Sequence, residues 1–187
     1  PTGTCNSLFF TQAIGISNIT KIYTSEVNHN QTVDNGGGFT AAVDANGFLY
    51  MVGNNSYGQL GNGGTANSVT NFFQPTGAFQ GKVAKVVLAG ASDSAYAQAE
   101  TYILTTDGEV YAAGSNGNGQ LGVGDISQKT TFTKVVRNTD GAKVVDIHAV
   151  GRHNAQQVGV IITLDNGSMM AAGHNLNGQL GVETGAI

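Results

Sequence analysis

The residues with the spacing to do chemistry lie in Gly117-Asn118-Gly119-Gln120-Leu121-Gly122, which has the Gly-x-Gly-x-x-Gly form of a dinucleotide-binding turn. In that role the glycines let the backbone approach a pyrophosphate, and a helix opening directly afterwards aims its free amide groups at the anion. Val123-Gly124-Asp125 follows instead, with no amphipathic run, so the segment reads as a structural turn and no cofactor is expected. Gly122-Val123-Gly124-Asp125 could also offer oxygen ligands to calcium. Equivalent segments elsewhere read Asn62-Gly63-Gly64 and Glu183, so no carboxylate is fixed at the position and no metal is expected.

Other reactive groups are scattered. The histidines are His29, His148, His153 and His174, with no cysteine or acid cluster beside them to complete a zinc site. Cys5 is the single cysteine, and no Gly-x-Ser-x-Gly elbow is present. Ser92, Ser94, Asp93, Glu100 and Arg152 fall in stretches read as variable, solvated loops. The chain is therefore expected not to be an enzyme. Charged residues make up 11% of the sequence and the net charge is −4, which gives no electrostatic grip on nucleic acid. No apolar run approaches the ~18 residues of a membrane span, so no membrane insertion is expected.

The glycine-rich segment recurs. Gly53-Asn54-Asn55-Ser56-Tyr57-Gly58-Gln59-Leu60-Gly61, Gly114 to Gly122, and Gly173-His174-Asn175-Leu176-Asn177-Gly178-Gln179-Leu180-Gly181 share the pattern Gly-x-Asn-x-x-Gly-Gln-Leu-Gly. Gln59, Gln120 and Gln179 are spaced by 61 and 59 residues, which defines an internal repeat. Within it, Gly58, Gly61, Gly119, Gly122, Gly178 and Gly181 permit a sharp turn. Leu60, Leu121 and Leu180 are expected to plug the turn into the core, and the glutamines to satisfy backbone groups freed by it.

The elements that must hold these turns are strands. Ile19 to Tyr23, Val83 to Leu88 and Val144 to Val150 alternate in β fashion, as do Phe39 to Val43, Thr101 to Thr105 and Val158 to Leu164. Asn46-Gly47, Asp107-Gly108 and Asn166-Gly167 follow, the preferred pairs for a two-residue hairpin turn. A further strand then runs into each glycine-rich phrase, and Leu8-Phe9-Phe10, Phe72-Phe73-Gln74 and Thr131 to Val136 supply one more. Four strands per unit without helical periodicity predict an all-β fold of propeller blades, in units 1–61, 62–122 and 123–187. Propellers close with about four to eight blades. The segment is thus expected to belong to a larger or oligomeric ring, with further blades from the same or another chain as partners.

Asp107-Gly108-Glu109-Val110-Tyr111-Ala112-Ala113-Gly114-Ser115-Asn116, running into Gly119-Gln120-Leu121-Gly122-Val123-Gly124-Asp125, resembles the repeat of the regulator of chromosome condensation family. The resemblance extends over essentially the whole chain in three copies and implies a seven-bladed propeller. The tryptophan usual before the phrase is replaced by Val52, Ala113 and Ala172, and the usual histidine survives only as His153.

Two functions follow as expectations. A Gly/Asn/Thr-rich, tryptophan-free composition is similar to virion tail-fibre or bacterial surface proteins, pointing to a non-enzymatic module that displays loops to a protein or glycan. Its address would be a virion or extracellular surface, in host recognition or pure assembly. The resemblance implies instead a guanine nucleotide exchange factor for a small GTPase. Tyr57, Tyr96, Arg152 and His174 are the expected contact residues of a partner-binding rim, with Tyr57 and His174 equally suited to packing against a neighbouring blade; none of the exchange-factor family's functional residues maps onto this chain.

Overall fold

The computed structural model describes residues 10–25, 38–66, 68–90, 98–135, 141–152 and 157–182, the last two flanking residues 153–156. Strands β1 (Ile19–Thr24), β2 (Phe39–Asp44), β3 (Leu49–Asn54) and β4 (Ser68–Phe73) form one antiparallel sheet in sequential order. A second comprises β5 (Val83–Ala89), β6 (Glu100–Thr105), β7 (Val110–Gly114) and β8 (Lys129–Lys134). Among the described residues the third holds β9 (Val144–Arg152), β10 (Gln157–Leu164) and β11 (Met169–Gly173). The fold is all-β, a partial propeller.

The sheets are offset from the sequence units 1–61, 62–122 and 123–187. The first two glycine-rich phrases reverse the chain, so the strand after each returns antiparallel to the strand before it: Phe73 lies opposite Met51, and Thr133 opposite Ala112. The strands that open units 62–122 and 123–187 thus complete the preceding sheets.

The hairpins differ from the two-residue turns expected. Gly47 N donates to Asp44 O and Asp44 N to Phe48 O, each 3.1 Å, closing a three-residue loop of Ala45, Asn46 and Gly47. Gly108 and Gly167 repeat the arrangement on Thr105 and Leu164. A two-residue type I′ turn needs positive φ at both central residues, whereas here only the glycines take it, at 78°, 83° and 84°.

Sheets stack face to face through two apolar cores. Between the first two lie Leu49, Met51, Leu60, Phe79, Val86 and Ile103, and between the second and third Leu104, Val110, Leu121, Ile147 and Leu164. Leu60 and Leu121 are fully buried, and Leu180 nearly so. Strand β8 also reaches back across the first junction. Gly63 N donates to Thr130 O at 2.8 Å, and the Phe132 ring lies directly over Gly61, stacked edge-on to Phe79 with ring centroids 5.1 Å apart. At the second junction the corresponding place is an apolar cleft of about 60 Å³ lined by Gly122, Val135, Ile162 and Met170.

Candidate functional site

The three glycine-rich phrases lie at the same rim of the sheets as the connections β1 to β2, β5 to β6 and β9 to β10. The ties are backbone bonds from the second residue of each phrase. Asn54 N donates to Gly38 O, Ser115 N to Ala99 O and His174 N to Val158 O, at 3.1, 3.0 and 3.0 Å. The phrase therefore buttresses the base of each variable loop.

Its polar side chains are occupied by this task. The shared asparagine accepts from the amide of the shared leucine: Leu60 N to Asn55 Oδ1 at 2.9 Å, Leu121 N to Asn116 Oδ1 at 3.0 Å, and Leu180 N to Asn175 Oδ1 at 3.0 Å. Its amide nitrogen spans the turn, Asn116 Nδ2 donating to Asp125 O at 2.8 Å and to Ser127 O at 3.1 Å. The shared glutamine accepts from the backbone two residues earlier, at Tyr57, Asn118 and Asn177. Replacing Asn116 by Ala leaves a buried amide and carbonyls without partners, which costs about 1–3 kcal/mol for each such loss. The expected outcome is a loss of about 3 kcal/mol in urea denaturation with an unchanged m-value.

The glutamine's remaining donor distinguishes the copies. Gln59 Nε2 donates to Asn54 Oδ1 at 2.9 Å, and Gln179 Nε2 lies 3.0 Å from His174 Nδ1. Gln120 Nε2 instead donates to Glu100 Oε1 at 3.0 Å and Gln98 Oε1 at 3.2 Å. Glu100, expected on a solvated loop, is fully buried at the start of β6. The side-chain direction at the strand end decides this: Glu100 shares a sheet face with Tyr102, which turns toward the third sheet. Its second oxygen, Oε2, has no hydrogen-bond partner. Burial raises the carboxyl's pKa to about 8, against the lowering effect of the Gln120 bond. Tyr102 OH donates to Gln120 O at 2.9 Å, and burial together with the neighbouring Glu100 charge raises the phenol further. A charge isolated in sequence carried no signal of this enclosure.

Of the expected contact residues, Tyr57 is half-buried and packs against the first inter-sheet core. His174 is half-buried and held by Gln179. Tyr96 and the side chain of Arg152 lie outside the described residues, as do Cys5, His29, Ser92, Asp93, Ser94 and His153. Asp125 accepts from Ser127 N at 2.8 Å, and its other oxygen pairs with Lys129 at 2.7 Å. Among the described residues no three His, Cys, Asp or Glu side chains gather to hold a metal ion. Among the described residues, the polar side chains of the phrases serve to hold the loop bases.

Stacked four-stranded antiparallel sheets with loops buttressed along one rim define a β-propeller scaffold. Residues 107–156 match the family described as Regulator of chromosome condensation (RCC1) repeat. The chain is 34% identical over 144 residues to the X-linked retinitis pigmentosa GTPase regulator of Canis lupus familiaris, covering 77% of this chain and 13% of that protein. It is 31% identical over 144 residues to the secretion-regulating guanine nucleotide exchange factor of Bos taurus, covering 77% of this chain and 28% of that protein. Among solved structures, Prp20p of Saccharomyces cerevisiae, described with its binding properties to Gsp1p and histones, superposes with a TM-score of 0.58. That match is 16% identical and covers 85% of this chain and 34% of the other. Residues 107–156 are thus an RCC1-type repeat, and the chain spans about a third or less of each of these proteins.

Proposed function

We propose that these sheets are part of a propeller whose loop-bearing rim binds a protein, and that the protein is a small GTPase whose nucleotide exchange it regulates. The observation carrying this reading is the 34% identity, over 77% of the chain, to a protein named as a GTPase regulator. The 31% match to a named exchange factor supports the same class. A scaffold whose three copies share an asparagine and a glutamine engaged in holding the turn suits recognition of a folded partner by its loops. Tyr96 and Arg152 are the side chains proposed to meet it; Arg152, expected on a loop, is the last residue of β9, where it pairs with Gln157. The expectation of virion or surface display with a glycan partner finds no support in these relatives.

The test is release of fluorescent GDP from a panel of small GTPases in the presence of the protein. Acceleration for one GTPase, abolished by Arg152→Glu together with Tyr96→Ala, is the expected result. A panel that shows neither release nor binding would sink the proposal.

A further inference from the structure

We propose that Glu100 is a proton-operated latch on the rim: with its carboxyl neutral, Gln98, Ala99 and Glu100 lie shut against the second glycine-rich phrase, and loss of the proton swings this loop base out toward water. Comparison of the three copies isolates the residue. Glu100 lies opposite Gly114 as Phe39 lies opposite Gly53 and Gly159 opposite Gly173. Its counterparts are thus a buried phenylalanine and a glycine on which a Cβ would strike the side chain of Leu180. Apolar carbon or no side chain at all satisfies the packing at this place, so the fold does not call for an acid there.

The acid is held by a glutamine that has changed partners. In the first and third phrases the residue after the leading glycine, Asn54 or His174, meets the amide nitrogen of Gln59 or Gln179. In the second phrase that residue is Ser115, whose hydroxyl instead accepts from Ala99 N at 3.2 Å. Gln120 therefore crosses to the loop base and donates to Glu100 Oε1 and Gln98 Oε1. With Ser115 N on Ala99 O, three consecutive residues are clasped to the phrase, and all three are buried.

The clasp engages one carboxyl oxygen and leaves the other, Oε2, buried without a partner. A neutral carboxyl in this setting forgoes one hydrogen bond, whereas an ionised one is a bare charge on the sheet face that Tyr102 and Leu104 share with the apolar core. Among the described residues no cation compensates it. On the surrounding elements Lys85, Asp146 and His148 pair with one another, Asp125 pairs with Lys129, and His174 is held by Gln179. Tyr102 alone of the titratable groups responds to the Glu100 charge, and its phenol stays neutral. Burial accordingly holds the shut carboxyl near a pKa of about 8, against 4.5 for a hydrated one. Opening the base rehydrates the group, so opening and proton release are coupled, and the base is set shut at acid pH and released at alkaline pH.

The latch acts on the loop base whatever the rim binds, and it is tested without a partner. Amide hydrogen exchange read by NMR, each rate divided by that of a free chain, gives the protection of Ser115 N and Ala99 N. Between about pH 5 and 8 that protection should fall about tenfold per pH unit and then level off. Asn54 N and His174 N make the same backbone tie with no carboxyl beside it, and should keep their protection. Glu100→Gln, which retains an acceptor for Gln120, should make the Ser115 and Ala99 values independent of pH. Equal losses at all three ties would mean that the whole fold loosens and would overturn the latch. So would a flat wild-type profile, or a slope that survives in Glu100→Gln.

Discussion

Glu100→Gln should make the protein more stable at pH 8 and remove most of its pH dependence between pH 5 and 8. The folded carboxyl has its pKa raised from 4.5 to about 8 because burial disfavours the charge. A raised acid pKa means the folded state holds a proton that the unfolded chain releases. Its contribution is therefore complete below about pH 4.5 and is lost progressively as pH rises toward 8. At about 1.4 kcal/mol per pKa unit, the full loss is about 4–5 kcal/mol. For a chain of this length that corresponds to a melting shift on the order of 10 °C. The glutamine variant keeps an acceptor for Gln120 and has no charge to bury, so its curve should be nearly flat in this window. Asp107 and Asp146, lowered to about 2 by hydrogen bonds to Thr105 and Lys85 first of all, act in the opposite sense. Their contribution is present above about pH 4 and fades as pH falls toward 2, which places the stability maximum of the wild type near pH 4–5. Thermal melts of both proteins from pH 4 to 9 measure this directly. Parallel curves would show that Glu100 is not the titrating group.

Gly114→Ala should be the most damaging single-methyl addition in the second phrase, while Gly117→Ala three residues on should be nearly silent. The first glycine of each phrase has φ of 111°, 118° or 116°, a region closed to residues with a Cβ. A methyl at Gly53 or Gly173 would also sit 2.5 Å from the carbonyl oxygen of Gly38 or Val158, and at Gly114 it would run into Ala99 O. That oxygen accepts Ser115 N and cannot retreat without breaking the tie to the loop base. Strain and clash together put the cost at or above about 4 kcal/mol, the range reserved for such defects. Gly117 has open space around it, so alanine there should change stability by less than about 0.5 kcal/mol. Equilibrium denaturation of the pair provides the comparison, and equal losses would remove the steric argument.

The strands, the hairpin sites and the repeat were legible because alternation and Asn-Gly or Asp-Gly pairs report local backbone preference directly. The buried leucines were legible for the same reason, being the sole apolar residues fixed in a polar turn. Turn length was not, since Asn46 and Asp107 accept either a right- or a left-handed backbone and the choice is made by sheet twist. Glu100 was invisible because its enclosure depends on Gln120 and Tyr102, 20 and 2 positions away, and on the third sheet closing over them. Sheet membership of β4 and β8 was hidden too: repeat phase in sequence says nothing about which neighbour a strand hydrogen-bonds.

That last offset has an evolutionary consequence. Since the periods 62–122 and 123–187 begin by finishing one leaf and go on to build the next, recombination that adds or removes a whole period changes the leaf count by one and leaves each seam matched. An insertion or deletion of any other length would strand an unpaired edge in the interior. Growth of such a gene is thereby confined to integral steps, and the crossover point may fall anywhere along the period.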